Sequence, residues 1–206
     1  MTPEPSIAAI LLAAGRSTRM GGPNKLLADI GGKPMLRRVV EAALASRARP
    51  ILVVTGHQAE SVQAALAALD VTFVDNPDYA AGLSSSLRAG IGAVPGDCDG
   101  VLVLLGDMPR IRSAHLDRLI AAFAAEPAAT IVLPTNAGRR GNPVLWPSDC
   151  FAEMLQLDGD AGAKRLLAVH ADRVREVDLG TDAIFADIDT PAALAVERGS
   201  DPSPIT

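Results

Sequence analysis

Short aliphatic runs recur along this chain at intervals long enough to hold a helix, and that rhythm constrains the fold more than any other feature. Residues 7–13, 50–55, 71–74, 100–105 and 130–133 are runs of strand length rich in Ile, Val and Leu. Between them the apolar residues take helical spacing, as at Met35, Leu36, Val39, Val40, Ala43 and Leu44 within residues 34–46. Strands without polar alternation are buried on both faces, which calls for parallel pairing under a cover of helices. The core must be built from small aliphatics, because 49% of residues are hydrophobic but only 3% aromatic. The pattern predicts an α/β fold with a mostly parallel sheet and right-handed crossovers.

Further helices are expected over residues 59–69, 83–93 and 113–123, from Ser148, within 160–170, and from Thr190-Pro191, with Thr as cap and Pro at the first position. Late strands are expected at 144–146, 174–177 and 184–188, and the Pro- and Ser-rich tail from Gly199 is expected to fray. There is no repeat and no long linker.

Several classes are set aside. The net charge is −5 and no long basic run exists, so no nucleic-acid partner is expected. Cys98 and Cys150 lack metal-ligand spacing and are read as buried free thiols. The apolar stretch at 7–14 is too short to span a bilayer and has no basic leader, so a cytoplasmic protein without a membrane partner is expected.

In a parallel sheet the ligand sits beyond the carboxyl ends of the strands. The loop after the first strand, within LLAAGRSTRMGGPNKLL (residues 11–27), carries Gly15, Gly21 and Gly22, which let the backbone turn sharply and form an anion nest. Arg16, Arg19 and Lys25 add cationic donors within ten residues. Each opposite-charge contact at about 4 Å gains roughly 4 kcal/mol at an effective dielectric near 20, enough for a triphosphate site. Neither a dinucleotide fingerprint nor a Walker loop is present. The fourth run ends in Gly106-Asp107-Met108-Pro109, and the last in Asp187-Ile188-Asp189-Thr190-Pro191. If extended, Asp187 and Asp189 point to one side. Carboxylates beside a triphosphate repel it unless a hard cation intervenes, and Mg²⁺ typically takes one or two carboxylates together with substrate phosphates.

Leu12-Ala13-Ala14-Gly15-Arg16-Ser17-Thr18-Arg19-Met20-Gly21, followed by Lys25, resembles the signature loop of the nucleotidyltransferase superfamily. The Ala13-Ala14-Gly15 form and the Lys25-Leu26-Leu27 ending resemble the molybdenum cofactor cytidylyltransferases, whose guanylyl-transferring relatives more often carry glycine where Ala14 stands. The resemblance covers residues 7 to about 194. It implies a single three-layer Rossmann-like nucleotidyltransferase fold over 1–198, with a nucleotide-binding half (about 7–134), an acceptor-binding half (about 135–198) and a flexible tail (199–206). It implies that Leu12, Ala13, Ala14, Gly15, Arg16 and Ser17 contact the nucleotide, and that Arg19 and Lys25 hold the triphosphate. Gly82, Ser85 and Ser86 would face the pyrimidine. Asp107 would hold magnesium, with Asp189 as first choice for a second ligand and Asp187 as backup. Gly141, Asn142, Pro143 and Asp160 are implied on the acceptor side.

Arg19, Lys25 and Asp107 are therefore the expected catalytic residues of a transfer of CMP from CTP to the terminal phosphate of a molybdopterin-type cofactor. A molybdenum hydroxylase or its chaperone would receive the product. GTP, a sugar-phosphate acceptor, a non-catalytic cofactor chaperone and a nucleotide-dependent oxidoreductase remain as alternatives. Intact Lys25 and Asp107 weigh against the chaperone, and the missing dinucleotide fingerprint weighs against the oxidoreductase.

Overall fold

The computed structural model describes residues 4–16, 24–126, 130–160 and 162–200. In chain order the strands are β1 (Ile7–Leu12), β2 (Asp29–Ile30), β3 (Lys33–Pro34), β4 (Ile51–Thr55), β5 (Thr72–Asp75), β6 (Gly100–Leu105), β7 (Ile131–Asn136), β8 (Arg139–Arg140), β9 (Val144–Pro147) and β10 (Val174–Asp178). The helices are α1 (Met35–Leu44), α2 (Ala59–Ala65), α3 (Leu83–Gly92), α4 (Ser113–Ala124), α5 (Phe151–Met154), α6 (Lys164–Val169) and α7 (Pro191–Ser200).

The described residues form one eight-stranded sheet in the order β10-β7-β9-β6-β1-β4-β5, with β8 folded onto β7, and a separate β2–β3 hairpin. β1 lies between β4 and β6, parallel to both, so that Ala9 faces Ile51 on one side and Leu102 on the other. β9 runs antiparallel between β6 and β7. The boundary expected near residue 134 falls inside β7, and with β9 inserted the two halves share one sheet.

Helices cover both faces. Ile7, Ala9 and Leu11 pack under α1, α2 and α4, whereas Ala8 and Ile10 pack under α3, α5 and α6. Ala8, Ala9, Ile10 and Leu11 have no exposed surface, which is why β1 carries no polar alternation. α3 approaches closely because residue 90 is glycine: a Cβ there would meet Ile10 Cγ2 at 2.8 Å and Val54 Cγ2 at 3.0 Å. Cys98 and Cys150 are buried free thiols, and burial raises the Cys150 thiol to about 11. Among the described residues no helix is long and apolar enough to cross a membrane.

α4 begins at Ser113, with Arg112 as its cap. One local expectation is corrected: residues 184–188 form no strand. The Thr181 hydroxyl accepts from Ala183 N at 3.2 Å and starts a 3₁₀ turn, Asp182–Phe185. The chain then crosses the top of the sheet, where Ile188 N donates to Asp107 O at 3.0 Å. Its backbone donor is thus satisfied by a loop end rather than by a neighbouring strand.

Candidate active site

The ends of β1 and β6 and the start of α3 surround a cavity of about 390 Å³. Ala13 N donates to Val54 O at 2.9 Å, and Gly106 N to Leu12 O at 3.1 Å, which holds the strand ends together. Gly106 permits this approach, since a Cβ there would meet Leu36 Cδ1 at 2.9 Å and Leu12 O at 3.0 Å. Beyond the first loop the Asn24 side chain accepts from Leu26 N at 3.1 Å and begins a 3₁₀ turn that presents Lys25, anchored by buried Leu26.

Lys25 Nζ lies 2.6 Å from Asp107 Oδ2 and 2.5 Å from Asp189 Oδ1. Three segments remote in sequence thus meet at one ammonium, and the Ile188–Asp107 backbone bond delivers Asp189 to it. Burial pushes the Asp107 carboxyl above the usual carboxylate range, although Lys25 pulls it down. Burial alone would depress Lys25, but Asp107 and then Asp189 hold it above the ordinary lysine value. Among the described residues no hydrogen-bond donor reaches the buried Asp107 Oδ1. A dry carboxylate oxygen of that kind is costly unless something takes its lone pairs. Two carboxylates with an unsatisfied oxygen fit a hard divalent cation that draws its remaining ligands from phosphate and water. No group of three or more His, Cys, Asp or Glu positioned for a metal occurs among the described residues.

The opposite wall is set by α3. Asn76 Nδ2 donates to Ser85 Oγ and Ser86 Oγ, both at 3.0 Å. Ser86 reaches the cavity, whereas Ser85 turns inward and donates to Gly82 O at 2.8 Å. Gly82 has φ +103°, and a Cβ there would run into the Asp160 carboxylate. Asp160, expected on the acceptor side, lines this first cavity together with Leu12, Ala14, Gly15 and Arg16. Ala13 is fully buried in the core instead. Ser17 and Arg19 lie outside the described residues.

Tyr79 and Asn76 were not anticipated. Tyr79 lines the cavity, and Gly56 makes room for it: a Cβ on residue 56 would meet Tyr79 Cβ at 2.7 Å. Asn76 reads in sequence only as a turn residue. Its place just past the carboxyl end of β5 was the available signal, because it matches that of Asp107 past β6.

A second cavity of about 540 Å³ adjoins the first, and Leu12, Leu83 and Leu105 line both. Gly141 and Asn142 lie in its wall, and Pro143 follows through a cis peptide. Gly141 packs against the 182–185 turn, where a Cβ would meet Ile184 O at 2.6 Å, and Asn142 N donates to that same oxygen at 3.0 Å. Leu133, Val144, Trp146 and Leu167 are apolar members of its lining, and Arg139, Arg140, Lys164 and Asp187 are its charged members. Asp187 and Asp189, expected to point together, line different cavities because the segment between them is not extended as a strand.

A three-layer α/β sheet with Gly15, a lysine and two carboxylates converging at its strand ends defines a domain of the nucleotidyltransferase type. Residues 9–174 match the MobA-like NTP transferase domain, and the chain belongs to that family. The bifunctional protein GlmU of Kineococcus radiotolerans is 37% identical over 150 residues, covering 68% of this chain and 30% of GlmU. The chain therefore spans less than a third of that relative. A nucleotidyl transferase from Methanothermobacter superposes with TM-score 0.82 at 27% identity over 94% of this chain and 96% of its own. Rv0371c of Mycobacterium tuberculosis H37Rv, in complex with manganese, superposes with TM-score 0.80 at 29% identity over 95% of this chain and 100% of its own.

Proposed function

We propose that this protein transfers a nucleotidyl group from a nucleoside triphosphate to a phosphorylated acceptor and releases pyrophosphate, with CTP as donor and a molybdopterin-type cofactor as acceptor. The observation that carries the reading is the meeting of Lys25, Asp107 and Asp189 within 2.6 Å contacts at the nucleotide-sized cavity. Asp107 and Asp189 would hold Mg²⁺, and the existence of a manganese complex of Rv0371c supports the use of a divalent cation. When bound, that cation would offset the negative charge of the triphosphate.

An acceptor phosphate oxygen is already anionic, so no general base is required. The oxygen–Pα bond forms, the Pα–O–Pβ bond breaks, and the electron pair leaves with pyrophosphate. The protein must align the two phosphates and relieve charge. Lys25 is placed to neutralise the leaving pyrophosphate, and Arg16 lines the same cavity. The apolar side chains of Leu133, Val144, Trp146 and Leu167 would take the face of a pterin ring, and Asn142, Lys164 and Asp187 would meet its polar edge. The second reading is a sugar-phosphate acceptor, whose hydroxyls those same polar residues could also meet.

The test is pyrophosphate release with CTP, GTP and ATP, with and without molybdopterin. Turnover is expected with CTP and molybdopterin together, and Asp107→Ala is expected to lower it by at least about a hundredfold. Full activity in that variant would refute the metal-holding role.

A further inference from the structure

The second cavity contains an arginine whose hydrogen-bonding capacity is unspent. Arg139 opens β8, is exposed, and places its guanidinium carbon 4.1 Å from the centroid of the Phe185 ring. A cation–π contact of this kind restrains the guanidinium against the ring without using its N–H donors, all five of which lie along the guanidinium edge. Among the described residues nothing accepts a hydrogen bond from Arg139, and Asp187, in the same cavity, forms no ion pair with it. Neighbouring arginines are committed elsewhere. Arg140 pairs with Glu176 at 2.7 Å, Arg118 donates to Asp178 O at 2.6 Å, and Arg88 donates to Leu157 O. A guanidinium held against a ring at the rim of a partly apolar cavity, with no protein acceptor among the described residues, can receive a planar-binding oxyanion.

We propose that Arg139 receives the phosphate monoester of the acceptor and that Phe185 positions it. The assignment rests on reading the second cavity as the acceptor site. The apolar lining would take the body of the molecule, Lys164 would add charge, and the fork of Arg139 would hold two phosphate oxygens. Phe185 sits in the segment whose Ile184 O accepts from Asn142 N and whose Ile188 N reaches Asp107 O. The oxyanion receptor is thus tied through a short stretch of chain to the carboxylates of the first cavity.

The experiment titrates a pterin phosphate monoester and a hexose 1-phosphate, each alongside its dephosphorylated parent, into the nucleotide-free full chain by calorimetry. The wild-type protein is expected to bind at least one ester more tightly than its parent. Arg139→Ala should weaken ester binding by about tenfold to a hundredfold and leave the parent compound unaffected. Arg139→Lys should recover only part of the loss, because an ammonium keeps the charge but not the fork. Phe185→Leu should cost the ester about twofold to fivefold, again without affecting the parent, an ester-specific loss that general loosening of the fold would not produce. Whichever ester binds tighter identifies the ring the cavity prefers. Unchanged ester affinity in Arg139→Ala, equal losses for ester and parent, or no ester binding by the wild type would overturn the proposal. CTP binding with Mn²⁺ is measured separately. Its absence would defeat the nucleotidyl-transfer reading while leaving the Arg139 comparison intact.

Discussion

Lys25 would have two conflicting occupations in the proposed reaction. Its ammonium bridges Asp107 and Asp189, with side chains only 13%, 16% and 34% exposed, so it screens two carboxylates that would otherwise repel each other. A divalent cation seeking those oxygens must compete with it, since a second positive charge at contact distance is repelled by roughly as much as the carboxylates attract. In the proposed reaction a triphosphate would resolve the conflict by offering Lys25 new oxygens. Lys25→Met is therefore expected to melt earlier than the wild type without metal, because Asp107 loses its counter-charge. Mn²⁺ should then raise its melting temperature by more than it raises that of the wild type, because ligand-linked stabilisation grows with affinity. Equal metal-induced shifts in thermal denaturation of the two proteins would show that the ammonium does not compete.

At the level of the element, α3 shows how one position sets the distance from helix to sheet. Gly90 lets α3 lie against Ile10 and Val54, whereas Gly92 has open space around it. Gly→Ala gains up to about 1 kcal/mol from propensity in a helix interior and less at a helix end, where Gly92 stands, and overpacking costs about 1–3 kcal/mol. Gly90→Ala is thus expected to lower the denaturant midpoint and Gly92→Ala to raise it; equal changes would mean the α3 contact tolerates a methyl group. Much at this scale was legible. β1, β4 and β6 announce themselves as unbroken aliphatic runs, and Lys25 and Asp107 stand at the loop positions a parallel sheet makes useful. The 184–188 segment misled because its apolar residues pack onto the top of the sheet rather than pairing within it, a distinction that depends on Asp107 O as acceptor. Asp160 and Arg139 are hard to place from sequence for a related reason. Their neighbours include Gly82 and Phe185, distant residues that no local pattern connects to them.

Across the whole molecule, the insertion of antiparallel β9 between β6 and β7 puts both cavities along one edge of a single sheet, with Leu12, Leu83 and Leu105 as their common wall. No sequence pattern announces that insertion, because strand partners far apart in the chain leave no local trace. If transfer takes place across this wall, the new pyrophosphate linkage forms between two groups already seated. Rapid-quench kinetics is then expected to show a first-turnover burst of pyrophosphate close to the enzyme concentration, followed by a slower steady rate. A linear course from the start would place the slow step in bond-making instead. The reaction product, nucleotide and acceptor joined end to end, keeps a grip in each compartment, and departure requires both grips to fail at nearly the same moment. Such a catalyst acts as a courier that holds its parcel by both ends: a receiver able to peel away one end first will empty it sooner than dilution can.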